Sequence, residues 1–258
     1  MDSLLALLLP DSLSTFTSAV LIAASFVTSA ITAALGLGGG IALLAVMANV
    51  MPAAALIPVH GVVQLGSNAG RALVLLKHVH WDIMLWFTLG AVFGAAIGGS
   101  IVVTLPSAIL RLGVGLFVLW SVWGRPPRFN GEAARPAMAA AGFAATLLSM
   151  FFGAAGPIGA AVLSTLGLDR HGFVANQAAT ALTMHVLKFA AFGVLGFAFA
   201  PWAGLIVAMV LSGFGGTVVG SRLLGRMDEK TFKKGFKLVM TLLAANLLWR
   251  AARDLLGL

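Results

Sequence analysis

The chain contains no cysteine, which excludes disulfides, thiolate metal sites and thiol catalysis. It is also poor in charge. Only 9% of its 258 residues are Asp, Glu, Lys or Arg, against roughly 25% in a soluble domain, too few to dress a water-facing surface. Carboxylates are scarcest: Asp2, Asp11, Asp82, Glu132, Asp169, Asp228, Glu229 and Asp254 are all there are. Each falls at or near the end of an apolar segment, so a cation or metal pathway lined by acidic ligands is disfavoured. No Ser/His/Asp or metal-ligand cluster has convincing spacing, so an enzyme is not expected and no cofactor is implied. Gly38-Gly39-Gly40 lacks the spacing and the following Lys-Ser/Thr of a nucleotide-binding loop, which argues against ATP-driven transport by this chain alone. Met1 to Leu13 hold no Lys or Arg. A secretory leader starts with a basic region, so this stretch reads as mature sequence.

What the chain has in excess is apolar residues, 60% of the total, with a mean hydropathy of +1.04. Residues 12–35, 82–103, 107–124, 202–223 and 236–249 are the clearest apolar runs, and about 20 residues cross a ~30 Å hydrocarbon core. They do not alternate as barrel strands would. The expectation is an all-α, polytopic helical membrane protein whose surface partner is the lipid bilayer. The net charge of +8 sits mostly in loops beside these runs, where Lys and Arg mark the cytoplasmic side. Nucleic acid is not an expected partner.

The first apolar run breaks at Gly36-Leu37-Gly38-Gly39-Gly40. A short apolar piece, about 41–50, follows and is too short to span alone, so it reads as a half-helix or re-entrant arm. Irregular backbone at membrane depth is tolerated only where protein buries it or it lines a wet cavity. A partial copy of the break stands at Gly153-Ala154-Ala155-Gly156-Pro157, 117 positions later. The same offset sets Lys188 opposite Arg71, His185 opposite Asn68 and Gln177 opposite His60. Further on, an offset of about 121 aligns Gly98-Gly99-Ser100 with Val219-Gly220-Ser221. The chain then divides into a first transmembrane repeat at 1–124, a cytoplasmic linker at 125–135 and a second repeat at 136–258. An odd number of crossings per repeat makes the two inverted in topology, with re-entrant or broken helices. Lys77, the arginines of the linker, and Arg222 to Lys237 fall on one side, read as cytoplasmic. The N-terminus is then periplasmic, and Arg250 and Arg253 fall outside against the charge rule.

His60, Gln64, Asn68 and Arg71 share one helix face. Gln177, Thr180 and Lys188 run similarly, flanked by Asn176 and His185. A cation deep in apolar sequence is expensive unless paired or hydrated, and no carboxylate is available to Arg71 or Lys188. The expected partner is a small anion. Gly38, Gly39 and Gly40 would let backbone N–H groups at a half-helix start approach it. Other readings stay open: Arg71 is placed to snorkel towards Lys77, the histidines suit ordinary interhelical hydrogen bonds, and the glycines suit close packing. Proton coupling would fall to His60 or His185, and uniport is the simpler scheme.

The stretch Gly36–Gly40, the helix behind it with Gly66-Ser67-Asn68 and Arg71, the loop ending in Trp81-Asp82 and the Gly98-Gly99 run resemble the TauE/SafE family of sulfite and sulfonate exporters. The resemblance covers nearly the whole chain, and the second copy departs from the first at Ala154, Ala155 and Pro157. It implies a permease of the bacterial inner membrane that moves sulfite or an organosulfonate outward, for which a homodimer is an allowed assembly. A cation or metal transporter, or a partner subunit without its own pathway, is the alternative.

Overall fold

The computed structural model describes residues 9–35, 38–102, 104–125, 134–153, 156–223 and 229–257. Among the described residues the secondary structure is helical and no strand occurs. The helices are α1 (Thr15–Leu35), α2 (Gly39–Val50), α3 (Ala53–Val74), α4 (Trp81–Val102), α5 (Ser107–Trp123), α6 (Ala134–Phe152), α7 (Gly156–Leu163), α8 (Arg170–Val194), α9 (Ala203–Leu223) and α10 (Glu229–Leu256). Short 3₁₀ turns occupy Leu76–His78 and Ala200–Trp202. Among the described residues, four stretches are long and apolar enough to cross a membrane: Thr15–Ala33, Trp81–Val102, Arg135–Phe152 and Ala200–Arg222. The third was not among the clearest runs in the sequence. The run at 107–124 forms a helix of 17 residues, just short of that criterion, and 236–249 lies inside the longer α10.

The chain forms two compact units, and neither is a sequence half. The first comprises Met1–Val63, Pro106–Gly124 and Ala198–Leu258; the second comprises Gln64–Leu105 and Arg125–Phe197. α3 crosses from one to the other between Val63 and Gln64.

The second unit is built on α4 against α6. Gly90, Gly94 and Gly98 recur every four residues on α4, a small-residue stripe that lets two backbones approach. A side chain at Gly90 would collide with the Ala139 carbonyl, at Gly94 with the Phe143 carbonyl, and at Gly142 with the Phe87 carbonyl. The helices run parallel, since the contact numbers rise together. The opposite face of α4 carries Leu89, Val92, Phe93, Ile97 and Ile101, all exposed; in a membrane protein that face meets lipid. Phe87, Ala91, Met138, Ala145, Val162 and Leu163 fill the core of the unit.

The first unit is built the same way on α1 against α9. Gly216 lies over the Phe26 carbonyl and Gly220 over the Ala30 carbonyl. At two positions where the other pair has bare glycine contacts, Gly142 and Gly90, this one has hydroxyls. Ser25 Oγ donates to the Met209 carbonyl at 2.7 Å and Ser212 Oγ donates to the Ile22 carbonyl at 2.8 Å. The register is the same: Gly142 lies 117 positions after Ser25, and Met209 lies 122 positions after Phe87. The sequence offset of about 121 in this stretch is thus corrected by one, pairing Gly98 with Gly220. In the same unit α10 runs antiparallel to α5, tied by Trp123 Nε1 donating to Thr241 Oγ1 at 3.0 Å near one end and the Arg111–Asp254 ion pair near the other.

That antiparallel pairing gives Arg250 a place. Its guanidinium donates to the Asn49 carbonyl at 2.7 Å, and Asn49 is the penultimate residue of α2. A cation beside the last carbonyls of a helix is favoured by the macrodipole. An arginine expected to depart from the charge rule is therefore held by a local contact.

Candidate functional site

Each glycine break ends or starts a helix with backbone that only glycine adopts freely. Gly153 has φ 73° and follows the last residue of α6, with its N–H on the Ser149 carbonyl at 2.9 Å; this is a left-handed helix stop. Gly38 has φ 99° and caps the start of α2, its carbonyl accepting from Ala42 N at 2.9 Å. Gly36, Leu37, Ala154 and Ala155 lie outside the described residues.

In the second unit α8 grips both sides of its break. Lys188 is fully buried, and its Nζ donates to the Gly153 carbonyl at 2.8 Å. Gln177, eleven residues earlier and so on the same face, donates from Nε2 to the Gly156 carbonyl at 3.3 Å. Gln177 Oε1 is buried and has no partner among the described residues. Thr180, also buried, turns its hydroxyl to the Gln177 carbonyl at 2.9 Å; a Cβ on Gly159 of α7 would lie 3.7 Å from that hydroxyl. His185 is buried on the same helix.

Lys188 was expected without a partner, and here the structure differs. Among the described residues it has no carboxylate partner, because Asp11, Asp82, Asp169, Glu229 and Asp254 lie at or beyond helix ends. It has instead a carbonyl at the negative end of the α6 dipole. An ammonium carries three donors, so the bond to Gly153 leaves capacity for an anion's oxygens.

Asn176 has a different occupation. It is fully buried, and its side-chain amide N donates to the Gly172 carbonyl at 2.7 Å and reaches the His78 carbonyl at 3.5 Å. Its Oδ1 accepts the His80 N–H at 3.1 Å. These bonds tie the start of α8 to the loop before α4, where the His78 and His171 rings stack at 5.2 Å. Asp169 caps α8 by accepting from Gly172 N at 2.8 Å. Asn176 is thus spent on backbone, and its place beside Gln177 in sequence does not turn it to the break.

In the first unit His60 is fully buried on α3, and its Nε2 lies 2.9 Å from the Gly40 carbonyl. A hydrogen on Nε2 is required for that bond. Gly39 is packed, because a Cβ there would meet the Thr28 carbonyl and the Thr32 hydroxyl. Farther along α3, in the second unit, Asn68 is buried and donates to the Gln64 carbonyl at 2.8 Å. Arg71 lies on α3 with its side chain outside the described residues.

The structure adds residues that the sequence reading did not single out. The Gly153 carbonyl is one. Thr146 is another, fully buried on α6 with its hydroxyl unpartnered among the described residues. Ser149, buried between them, donates to the Thr146 carbonyl at 3.0 Å. Thr146, Ser149 and Gly153 recur at three and four residues, a spacing that marks one helix face and could have flagged them.

Helices interrupted at glycine, parallel small-residue contacts and outward faces of large apolar side chains define a polytopic helical membrane protein with broken helices. The chain belongs to the sulfite exporter TauE/SafE family, whose model matches residues 21–247. That is a family of membrane transporters of sulfur-containing anions. Neither the curated proteins nor the solved structures contain a match.

Proposed function

We propose that the chain is a secondary transporter exporting a small sulfur-containing oxyanion, sulfite or an organosulfonate, across a bacterial inner membrane by alternating access. The observation that carries this reading is Lys188: a buried cation beside a helix break, with no carboxylate to neutralise it among the described residues. Its ammonium supplies charge, and Arg71 supplies the same in the other repeat. Gln64, Asn68, His185 and Thr180 add hydrogen-bonding groups on the same two helices, and the backbone at Gly38–Gly40 adds N–H donors. Asn176 contributes by fixing α8 rather than by touching the anion.

The matched register of the two helix pairs supports an internal duplication, with the repeats at 1–124 and 136–258 joined by the 125–135 linker and inverted in the membrane. Each repeat then lends a long helix, α4 or α9, to the first helix of the other. The parallel α4 and α6 start at the same end of their unit, which places Lys77 and Arg135 together and agrees with a cytoplasmic assignment for that end. The N-terminus is then periplasmic.

Export is downhill electrically. Moving one negative charge outward across 100 mV, inside negative, releases ~2.3 kcal/mol, which supports a gradient of about fiftyfold. Uniport therefore suffices. The test is efflux of sulfite, taurine and sulfoacetate from proteoliposomes holding the purified protein, with the membrane potential set by a potassium gradient. Potential-dependent efflux of at least one of them is expected. Cation flux without anion flux would overturn the reading.

A further inference from the structure

The two half-helices are each held at their first turn by one side chain from the helix that follows in sequence. His60 reaches the Gly40 carbonyl of α2 across twenty residues at 2.9 Å, and Gln177 reaches the Gly156 carbonyl of α7 across twenty-one at 3.3 Å. These two residues are 117 positions apart, the same offset that relates α1 to α6. One is an imidazole and the other a primary amide. What they share is an N–H donated to a first-turn carbonyl about twenty residues earlier; what they do not share is a group that titrates near neutral pH.

We infer that His60 and Gln177 are equivalent positioning residues, each anchoring a half-helix through its first-turn carbonyl, and that His60 works as a hydrogen-bond donor and not as a proton carrier. The glycine that permits each break also leaves the short helix weakly tethered. α7 has eight residues, fewer than an isolated helix needs to be stable. The anchor supplies what the broken backbone lacks. It fixes the end of the half-helix that faces the break, and so the direction in which the first-turn N–H groups point. This assignment rests on the transporter reading for its consequence, but not for its geometry.

The two can be tested apart. Hydrogen–deuterium exchange on the purified protein reads the anchors without any transport. His60→Ala should speed exchange in residues 41–45 about threefold, as expected for one intramembrane hydrogen bond, and Gln177→Ala should do the same in residues 158–163. His60→Gln and Gln177→His, each installing the other repeat's residue, should leave exchange unchanged. Exchange in His60→Gln as fast as in His60→Ala would overturn the assignment. In proteoliposomes the same swap should keep sulfite efflux within about twofold, with the pH profile of the wild type, while His60→Ala lowers the maximal rate more than it raises KM. A pH dependence present in the wild type and lost in His60→Gln would make His60 a proton carrier and contradict the inference. If the wild type moves no sulfur oxyanion, the transporter reading fails while the exchange arm still decides the anchors.

Discussion

The α4–α6 pair and the α1–α9 pair solve one packing problem in two chemistries. Both bring parallel helices to backbone contact in the same register, with Gly94 and Gly98 in one and Gly216 and Gly220 in the other set against carbonyls. Where the first has Gly90 and Gly142, however, the second has Ser212 and Ser25 bonded to the matching carbonyls. In lipid no hydrophobic force drives helices together, so close packing and interhelical hydrogen bonds take its place. A glycine contact has no slack, because any Cβ must displace backbone. A serine contact is an added bond on backbones that are already accommodated. The difference teaches that two helix pairs can share a register while part of the energy holding it moves from packing to hydrogen bonding.

That contrast is breakable by mutation. Gly142→Ala sets a methyl against the Phe87 carbonyl and should cost about 3 kcal/mol, the upper range of overpacking, read as a loss of folded protein in a denaturant titration in detergent. Asn176→Ala tests a strap found only in the second unit, since the matching position of the first is Val59. It leaves the His80 N–H unsatisfied and should cost about 1–2 kcal/mol, with faster hydrogen exchange confined to residues 78–84 and 172–176. Ser25→Ala removes one interhelical bond and should cost about 0.6 kcal/mol. A serine effect equal to the glycine effect would erase the distinction between the pairs.

Much of this was legible in the chain. The glycine break at 36–40 and the half-helix behind it follow from apolar length and from glycine punctuation, and the half-helix expected at 41–50 forms at Gly39–Val50. The offset of 117 was visible because Arg71 and Lys188 coincide under it. Partner choice was not legible. A small-residue stripe says that a backbone approaches, but not whose, so nothing in residues 81–102 points to 134–152. The span at Arg135–Phe152 was hidden by its alanines and its leading Arg135-Pro136. Lys188 read as unpaired because only carboxylates were sought as partners, whereas a carbonyl freed by a left-handed glycine served. Asn176 read as a site residue because it adjoins Gln177, yet a helix turns about 100° per residue, and one step sends it to the loop before α4.

The central claim is that the buried charge at the second break is the anion's partner as well as the brace of Gly153. Sulfite efflux from proteoliposomes of equal protein content, compared between wild type, Lys188→Gln and Lys188→Arg, tests it most directly. Lys188→Gln should lower efflux at least tenfold with the folded fraction retained, and Lys188→Arg should keep a measurable share of it. Efflux unchanged in Lys188→Gln would leave that cation a structural brace alone and contradict the account.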